Sequence, residues 1–302
     1  ATALSRHYKV YGFDINKQRI DELKKLNDKT KELSIQELKK SKVKYTNQIK
    51  HIKNSNVYIV TVPTPVNDRK LPDMSSLVSS CKIIGKVLKQ NDIVIFESTV
   101  YPGTTEEVCV PVLEKVSRFQ YNKDFFCGYS PERINPGDKD RKLQNIVKLV
   151  SGSNKETRRK VKEIYSKIIK AGVKEVTNIK TAEASKIIEN IQRDLNIALM
   201  NELSVIFNKL DIDTNEVIDG ASTKWNFHKY YPGLVGGHCI GVDPYYLTYK
   251  AKKIGIKSKI ILAGRKFNDD MPKVIAKEAL RRVKLIKKNS NQKVKSLILG
   301  LT

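Results

Sequence analysis

The sequence predicts an α/β protein in which a parallel sheet with helices on both faces is followed by an all-helical segment. Three observations carry that reading. Over the first two-thirds of the chain, short β-rich runs alternate with amphipathic helical stretches, the pattern of strands joined by helical crossovers. From about residue 181 the alternation stops, and 182–210 reads as one long helix, free of Gly and Pro, with apolar residues at helical spacing. Three of the strand candidates run straight into Pro-containing turns, two of them with Thr as well, which in an open α/β sheet lie where ligands bind.

Taken in order, residues 1–7 resemble the tail of a helix, and a strand over 8–13 ends at Asp14. Helical patterns follow at 17–26, 76–88, 105–116 and 155–169. Between them lie strand candidates at 43–46, 56–62, 92–97, 125–129, 146–151 and 174–177. After the long helix, further helices are expected at 215–221, 244–254 and 259–287. The apolar run at 297–299 reads as a buried-type strand that stops at Gly300. The expected organisation is therefore 1–180, 181–290 and 291–302, the last being the first strand of a third α/β domain. A chain that opens on a helix tail and closes on a strand reads as a piece of a longer protein.

At 302 residues, 40% hydrophobic and 7% aromatic, the composition is that of a soluble globular protein with room for two domains. No apolar run approaches the ~20 residues that span a bilayer, and no signal-peptide pattern opens the chain. Cys81, Cys109, Cys127 and Cys239 are far apart with no C-x-x-C spacing, which suggests neither a zinc site nor a disulfide framework. A cytoplasmic location with reduced thiols is expected. The net charge of +25 admits nucleic acid, an anionic membrane surface or anionic small substrates as partners. Its lysines are scattered along almost every segment, however, and no zinc finger, basic zipper or aromatic-interleaved RNA motif is present. Solvated lysine-rich faces account for the charge, and neither a nucleic-acid nor a membrane partner is expected.

Several residue types in this order suggest chemistry. Asp14 ends a strand, where a carboxylate serves either as a turn or cap residue or as the acceptor for adenosine ribose hydroxyls. Thr64, Thr99 and Glu132 follow three successive strand candidates and converge at one edge of a parallel sheet. Lys186 and Asn190 are four apart on the long helix and share a face, which is either solvated or aimed at an oxygen where charge develops. The stretch from Tyr231-Pro232-Gly233 through Gly236-Gly237-His238-Cys239 to Asp243-Pro244 sets one thiol among glycines, with a carboxylate four residues later. That thiol reads either as a small buried hydrophobe or as a covalent nucleophile approached closely by substrate.

Pro63-Thr64-Pro65, Glu97-Ser98-Thr99-Val100, Tyr129-Ser130-Pro131-Glu132-Arg133, the helix from Glu183 through Lys186, Asn190 and Asp194 to Asn201-Glu202, and Gly236-Gly237-His238-Cys239 with Asp243 occur in that order. In this the chain resembles the UDP-glucose/GDP-mannose dehydrogenase family over essentially its whole length. Thr223-Lys224-Trp225-Asn226-Phe227 and the stretch 232–246 look most like the branch that oxidises UDP-N-acetylhexosamines. The resemblance implies a Rossmann-like NAD-binding domain, an all-helical central domain that builds a homodimer, and a UDP-binding third domain. It implies NAD as cofactor, a UDP-N-acetylhexosamine as substrate, no metal, and two successive oxidations at C6 through a cysteine thiohemiacetal and thioester.

By position, the resemblance assigns Cys239 as nucleophile, Lys186 and Asn190 to the oxyanion and its water, Glu132 and Asp243 to acid–base work, and Thr99 to the same water. Asp14, Arg19, Thr64 and Thr99 fall at cofactor-binding positions. Glu132, Arg133, Lys186, Asn190, Tyr231 and Gly236 fall at substrate-binding ones. The chain departs from the family pattern in lacking the Gly-rich cofactor loop ahead of Asp14, in carrying Val242 where other branches have Lys, and in its His228-Lys229-Tyr230-Tyr231 stretch. A non-catalytic nucleotide-sugar-binding protein and a basic nucleic-acid-binding module are the alternatives from other functional classes.

Overall fold

A computed structural model describes residues 1–134, 141–237, 240–288, 295 and 297. It divides into two compact units, Ala1–Glu189 with Tyr245–Lys253, and Asn190–Pro244 with the described residues from Ile254 onward.

The first unit is the α/β one. Its strands are β1 (Tyr11–Phe13), β2 (Lys44–Thr46), β3 (Val57–Val60), β4 (Ile93–Phe96), β5 (Phe126–Tyr129), β6 (Lys148–Gly152) and β7 (Val173–Glu175). Helices α1 (Lys17–Lys24), α2 (Ile35–Lys40), α3 (Ser75–Gly85), α4 (Val110–Ser117) and α5 (Lys155–Ser166) lie between them. Strands β1 and β2 form a parallel pair, and the other five form one sheet in the order β3-β4-β5-β6-β7. Strand β4 shows why the sheet is covered on both faces. Val94 and Phe96 belong to a core with Leu77, Ile84 and Leu113 of α3 and α4, whereas Ile93 and Ile95 belong to a second core with Val161 and Tyr165 of α5. All four β4 residues are buried, as expected of a continuous apolar run between two helical layers.

The sheet differs from the all-parallel expectation at one place. Strands β3, β4 and β5 are parallel, but β6 pairs antiparallel to β5, and β7 then runs parallel to β6. A parallel return requires a crossover, usually a helix. Among the described residues between β5 and β6 there is only a single helical turn, Leu143–Asn145, so the chain doubles back beside β5. Helix α2 was not expected either. It is opened by a capping box in which Ser34 and Glu37 satisfy each other's backbone N–H groups.

The second unit is helical. Helix α6 (Ile179–Lys209) begins in the first unit and continues through the boundary, and α7 (Thr214–Ala221) and α9 (Lys259–Lys288) lie in the second unit, while α8 (Asp243–Lys253) starts there and belongs from Tyr245 on to the first. Asn178 caps α6, its side-chain oxygen accepting from the Thr181 N–H and hydroxyl. Of the expected strand at 297–299, residues 298 and 299 lie outside the described residues. Among the described residues no helix is long and apolar enough to cross a membrane, and no group of three or more His, Cys, Asp or Glu is arranged to hold a metal. Cys81, Cys109 and Cys127 are free and buried; the neighbouring Cys81 thiol and then burial push the thiol of Cys109 well above the ordinary range, and burial does the same to Cys127.

Candidate active site

In the first unit, parallel register brings the carboxyl ends of β3, β4 and β5 level, with Val60 opposite Phe96 and Phe96 opposite Tyr129. The turns beyond them are tied together. Thr64 donates its hydroxyl to the Thr99 carbonyl at 2.6 Å, and Ser98 donates to the Val62 carbonyl at 2.6 Å. The hydroxyl of buried Tyr246 donates to the Thr64 carbonyl from the far side. Thr64 and Thr99 are thus in direct contact, as the convergence of strand ends requires.

Past Thr99 the chain turns at Gly103, whose φ of +95° favours glycine and whose Cβ position lies 2.4 Å from the Glu107 carboxylate. The fully buried Glu183 of α6 accepts from the Gly103 N–H at 2.5 Å, and from the Thr105 N–H at 2.9 Å and hydroxyl at 2.7 Å. It therefore caps the helical run that leads into α4. Burial pushes its carboxyl up to about 7, outweighing those three hydrogen bonds. The sequence placed Glu183 in a motif but gave no hint of this clamp.

Glu132 lies just beyond β5. One of its oxygens accepts from the backbone N–H groups of Arg133 at 2.6 Å and Ile134 at 2.8 Å, and the other is 3.6 Å from the ammonium of Lys148. Arg133 is engaged with Glu189 of α6 and with the Val147 carbonyl, while its Nε is buried without a hydrogen-bond partner. Lys186, one helical turn before Asn190 on α6, is 8% exposed and has no ion pair or hydrogen bond among the described residues. An ammonium left without a fixed partner at a largely buried position is suited to an anionic ligand or to developing negative charge.

Asp14 follows β1 and is exposed. One carboxylate oxygen accepts from the Asn16 N–H at 2.8 Å, and the other has no partner among the described residues. A free carboxylate oxygen at the end of a parallel strand suits the hydroxyl pair of a nucleoside ribose. Arg19 is directed elsewhere. Its guanidinium binds Asp28 at 2.6 Å, and its other terminal nitrogen is buried without a hydrogen-bond partner.

In the second unit, Asn190 donates to Asp243 at 2.5 Å, and both are nearly fully buried. Asp243 opens α8, where a carboxylate also meets the positive end of the helix dipole. Buried Asn201 clamps the loop that leads to Cys239. Its amide donates to the Gly233 carbonyl at 3.0 Å and accepts from the Gly233 N–H at 2.8 Å. Asn201 is itself held by Asn268, which donates to both oxygens that Asp194 offers it, the backbone carbonyl and the carboxylate, where Arg265 also binds. Tyr231, just before this clamp, and Gly236, just after it, are exposed; no atom of the described residues lies within 4 Å of a Cβ at Gly236, and Gly237 adopts φ +80°. His238 and Cys239 lie outside the described residues.

Two family models match the chain. The UDP-glucose/GDP-mannose dehydrogenase family NAD-binding domain covers residues 1–169, and the central domain of the same family covers 180–270. The UDP-N-acetyl-D-glucosamine 6-dehydrogenase of Pseudomonas aeruginosa is 53% identical over 97% of this chain and 69% of its own. The enzyme of that name from Salmonella typhi is 51% identical over 100% of this chain and 71% of its own. Among solved structures, the UDP-D-ManNAc dehydrogenase of Pyrococcus horikoshii superposes with a TM-score of 0.83 at 30% identity, over 94% of this chain and 68% of that one.

Proposed function

Since this chain belongs to the UDP-glucose/GDP-mannose dehydrogenase family, with an NAD-binding first domain, we propose that it oxidises C6 of a UDP-N-acetylhexosamine to the uronic acid. The product would supply surface polysaccharide. The observation that carries the proposal is the polar set on α6: Lys186, a largely buried residue whose ammonium is unpaired among the described residues, and Asn190 one turn on, bound to Asp243. Polar groups gathered on a largely buried helix face mark binding and acid–base sites as well as structural clamps such as that of Glu183.

In the proposed reaction NAD, when bound, supplies the hydride acceptor for both oxidations. Asp14 holds the adenosine ribose, and the joined turns of Thr64 and Thr99 line the pyrophosphate and nicotinamide side. Oxidation of the C6 alcohol gives an aldehyde, to which the Cys239 thiolate adds. The carbonyl oxygen becomes the oxygen of a thiohemiacetal, and Lys186 and Asn190 steady the charge it carries. Loss of a second hydride leaves a thioester. Water held by Thr99 and Asn190 attacks the thioester carbon, with Glu132 and Asp243 moving protons, and the carboxylate leaves as the thiol is restored. The balance is one alcohol, two NAD+ and one water to one carboxylate, two NADH and three protons. Arg133, Tyr231 and Gly236 belong to the sugar-nucleotide side of this proposal, and Arg19 to the cofactor side through its hold on Asp28.

A homodimer and a cytoplasmic location are part of the same reading, the former supported by the exposed Leu199 and Ile206 along α6 and Leu210 just past its end. The division at 1–180, 181–290 and 291–302 is carried forward with it. The test is NADH formation by the full-length protein given NAD+ and, separately, UDP-N-acetylglucosamine, UDP-N-acetylgalactosamine and UDP-glucose. Turnover of an N-acetylated sugar well above UDP-glucose is expected. Tight binding of these sugars with no NADH would instead make the protein a non-catalytic nucleotide-sugar binder.

A further inference from the structure

The reversal of β6 has a consequence at its first residue. Antiparallel register sets Tyr129 opposite Ser151 and Gly128 opposite Gly152, so the amino end of β6 lies alongside the chain that leaves β5. Ser151 and Ser130 fasten the two, donating to the Tyr129 and Leu149 carbonyls at 2.9 and 2.8 Å. Lys148 is thereby brought beside Pro131 and Glu132, at the edge where the strand ends converge.

Lys148 is 3% exposed, and a lysine that buried requires anionic partners. It donates to the Pro131 carbonyl at 3.0 Å, stands 3.2 Å from Glu97 at the end of β4, and is 3.6 Å from the Glu132 oxygen that the backbone does not hold. Tyr165 of α5 closes the group, its ring 5.2 Å from the ammonium and its hydroxyl donating to Glu97 at 2.5 Å. The ammonium thus bridges the ends of β4 and β5 and completes the set of contacts on Glu132.

We infer that Lys148 is a positioning residue for the proposed reaction, holding the Glu132 carboxylate in one orientation at the active edge. The inference rests on the role proposed above for Glu132. The Lys148 ammonium is taken up by the Pro131 carbonyl, Glu97 and Glu132, so its effect is exerted through that carboxylate.

The variants K148M, E97Q and K148M/E97Q of the full-length protein separate this role from a structural one. In K148M two carboxylates lose their cation, and the unfolding temperature should fall by roughly 5 °C or more. E97Q in the double variant removes the carboxylate that is the more buried of the two, and should recover most of that loss. The kcat of K148M should drop about 10- to 100-fold, the scale for misplacing a reacting group, with KM for NAD within about twofold of wild type. That kcat should stay low in K148M/E97Q, while E97Q alone keeps most of it. A K148M kcat equal to wild type overturns the inference, as does a double variant in which stability and kcat recover together. If K148M does not fold, the double variant carries the same comparison. Failure of the dehydrogenase reading would show differently, as a wild-type protein that makes no NADH.

Discussion

Replacing Glu183 with Gln should change how stability depends on pH, and the structure sets both the sign and the size. Glu183 is 0% exposed, and its carboxyl is pushed from 4.5 up to about 7 by burial, against the pull of the Gly103 and Thr105 donors. In the unfolded chain it ionises near 4.5, and in the folded chain only near 7. Between those values the folded state holds the extra proton, so stability falls as pH rises through that window and is level outside it. At ~1.36 kcal/mol per pH unit, the shift amounts to about 3 kcal/mol. Urea unfolding of wild type and E183Q across pH 4.5 to 7.5 reads this, since titrating groups that do not interact with Glu183 cancel in the difference. The wild type should lose about 3 kcal/mol more than the variant over the window. Parallel curves for the two proteins would refute the reasoning, and so would a wild type that gains stability relative to E183Q as pH rises.

Asp28 should behave in the opposite way. Burial would raise its carboxyl, but hydrogen bonds from Arg19, Thr30 and the Leu33 N–H outweigh it and bring it from 3.8 to about 2. Its contribution is present above pH 3.8 and lost as pH falls toward 2, at most about 2 kcal/mol and less as solvent screens the pair. Acid unfolding of D28N should show a correspondingly shallower loss in that range. Gly103→Ala places a Cβ in the left-handed region and 2.4 Å from Glu107, which should destabilise by about 1–3 kcal/mol in thermal or urea unfolding. Because Gly103 lies four residues past Thr99, it should also weaken NAD binding, measured by titration of the folded variant.

Much of the first unit could be read from the sequence because its signals are local. The apolar run of β4 is buried on both faces, and the i, i+4 pair of Lys186 and Asn190 lies buried on one helix. The direction of β6 was not legible, since a strand's hydropathy is the same whichever way it runs and only the connection decides. A charged residue inside the expected strand 146–151 was the available sign that Lys148 had buried partners. The Glu183 clamp was invisible for another reason. Its partners are 78 and 80 residues away, and nothing in the local pattern of α6 distinguishes a capping carboxylate from a solvated one. The S-x-x-E box at Ser34, by contrast, was in plain view and marks α2.

The claim on which the rest depends is a two-step oxidation through Cys239. The most direct measurement is the number of NADH formed per UDP-N-acetylglucosamine or UDP-N-acetylgalactosamine consumed by the full-length protein, alongside the same count for Cys239→Ser. The wild type should give two NADH per sugar with the uronate as product, and the variant should stop without completing the second oxidation. One NADH per sugar with an aldehyde released, or a Cys239→Ser protein that still delivers two, would contradict it.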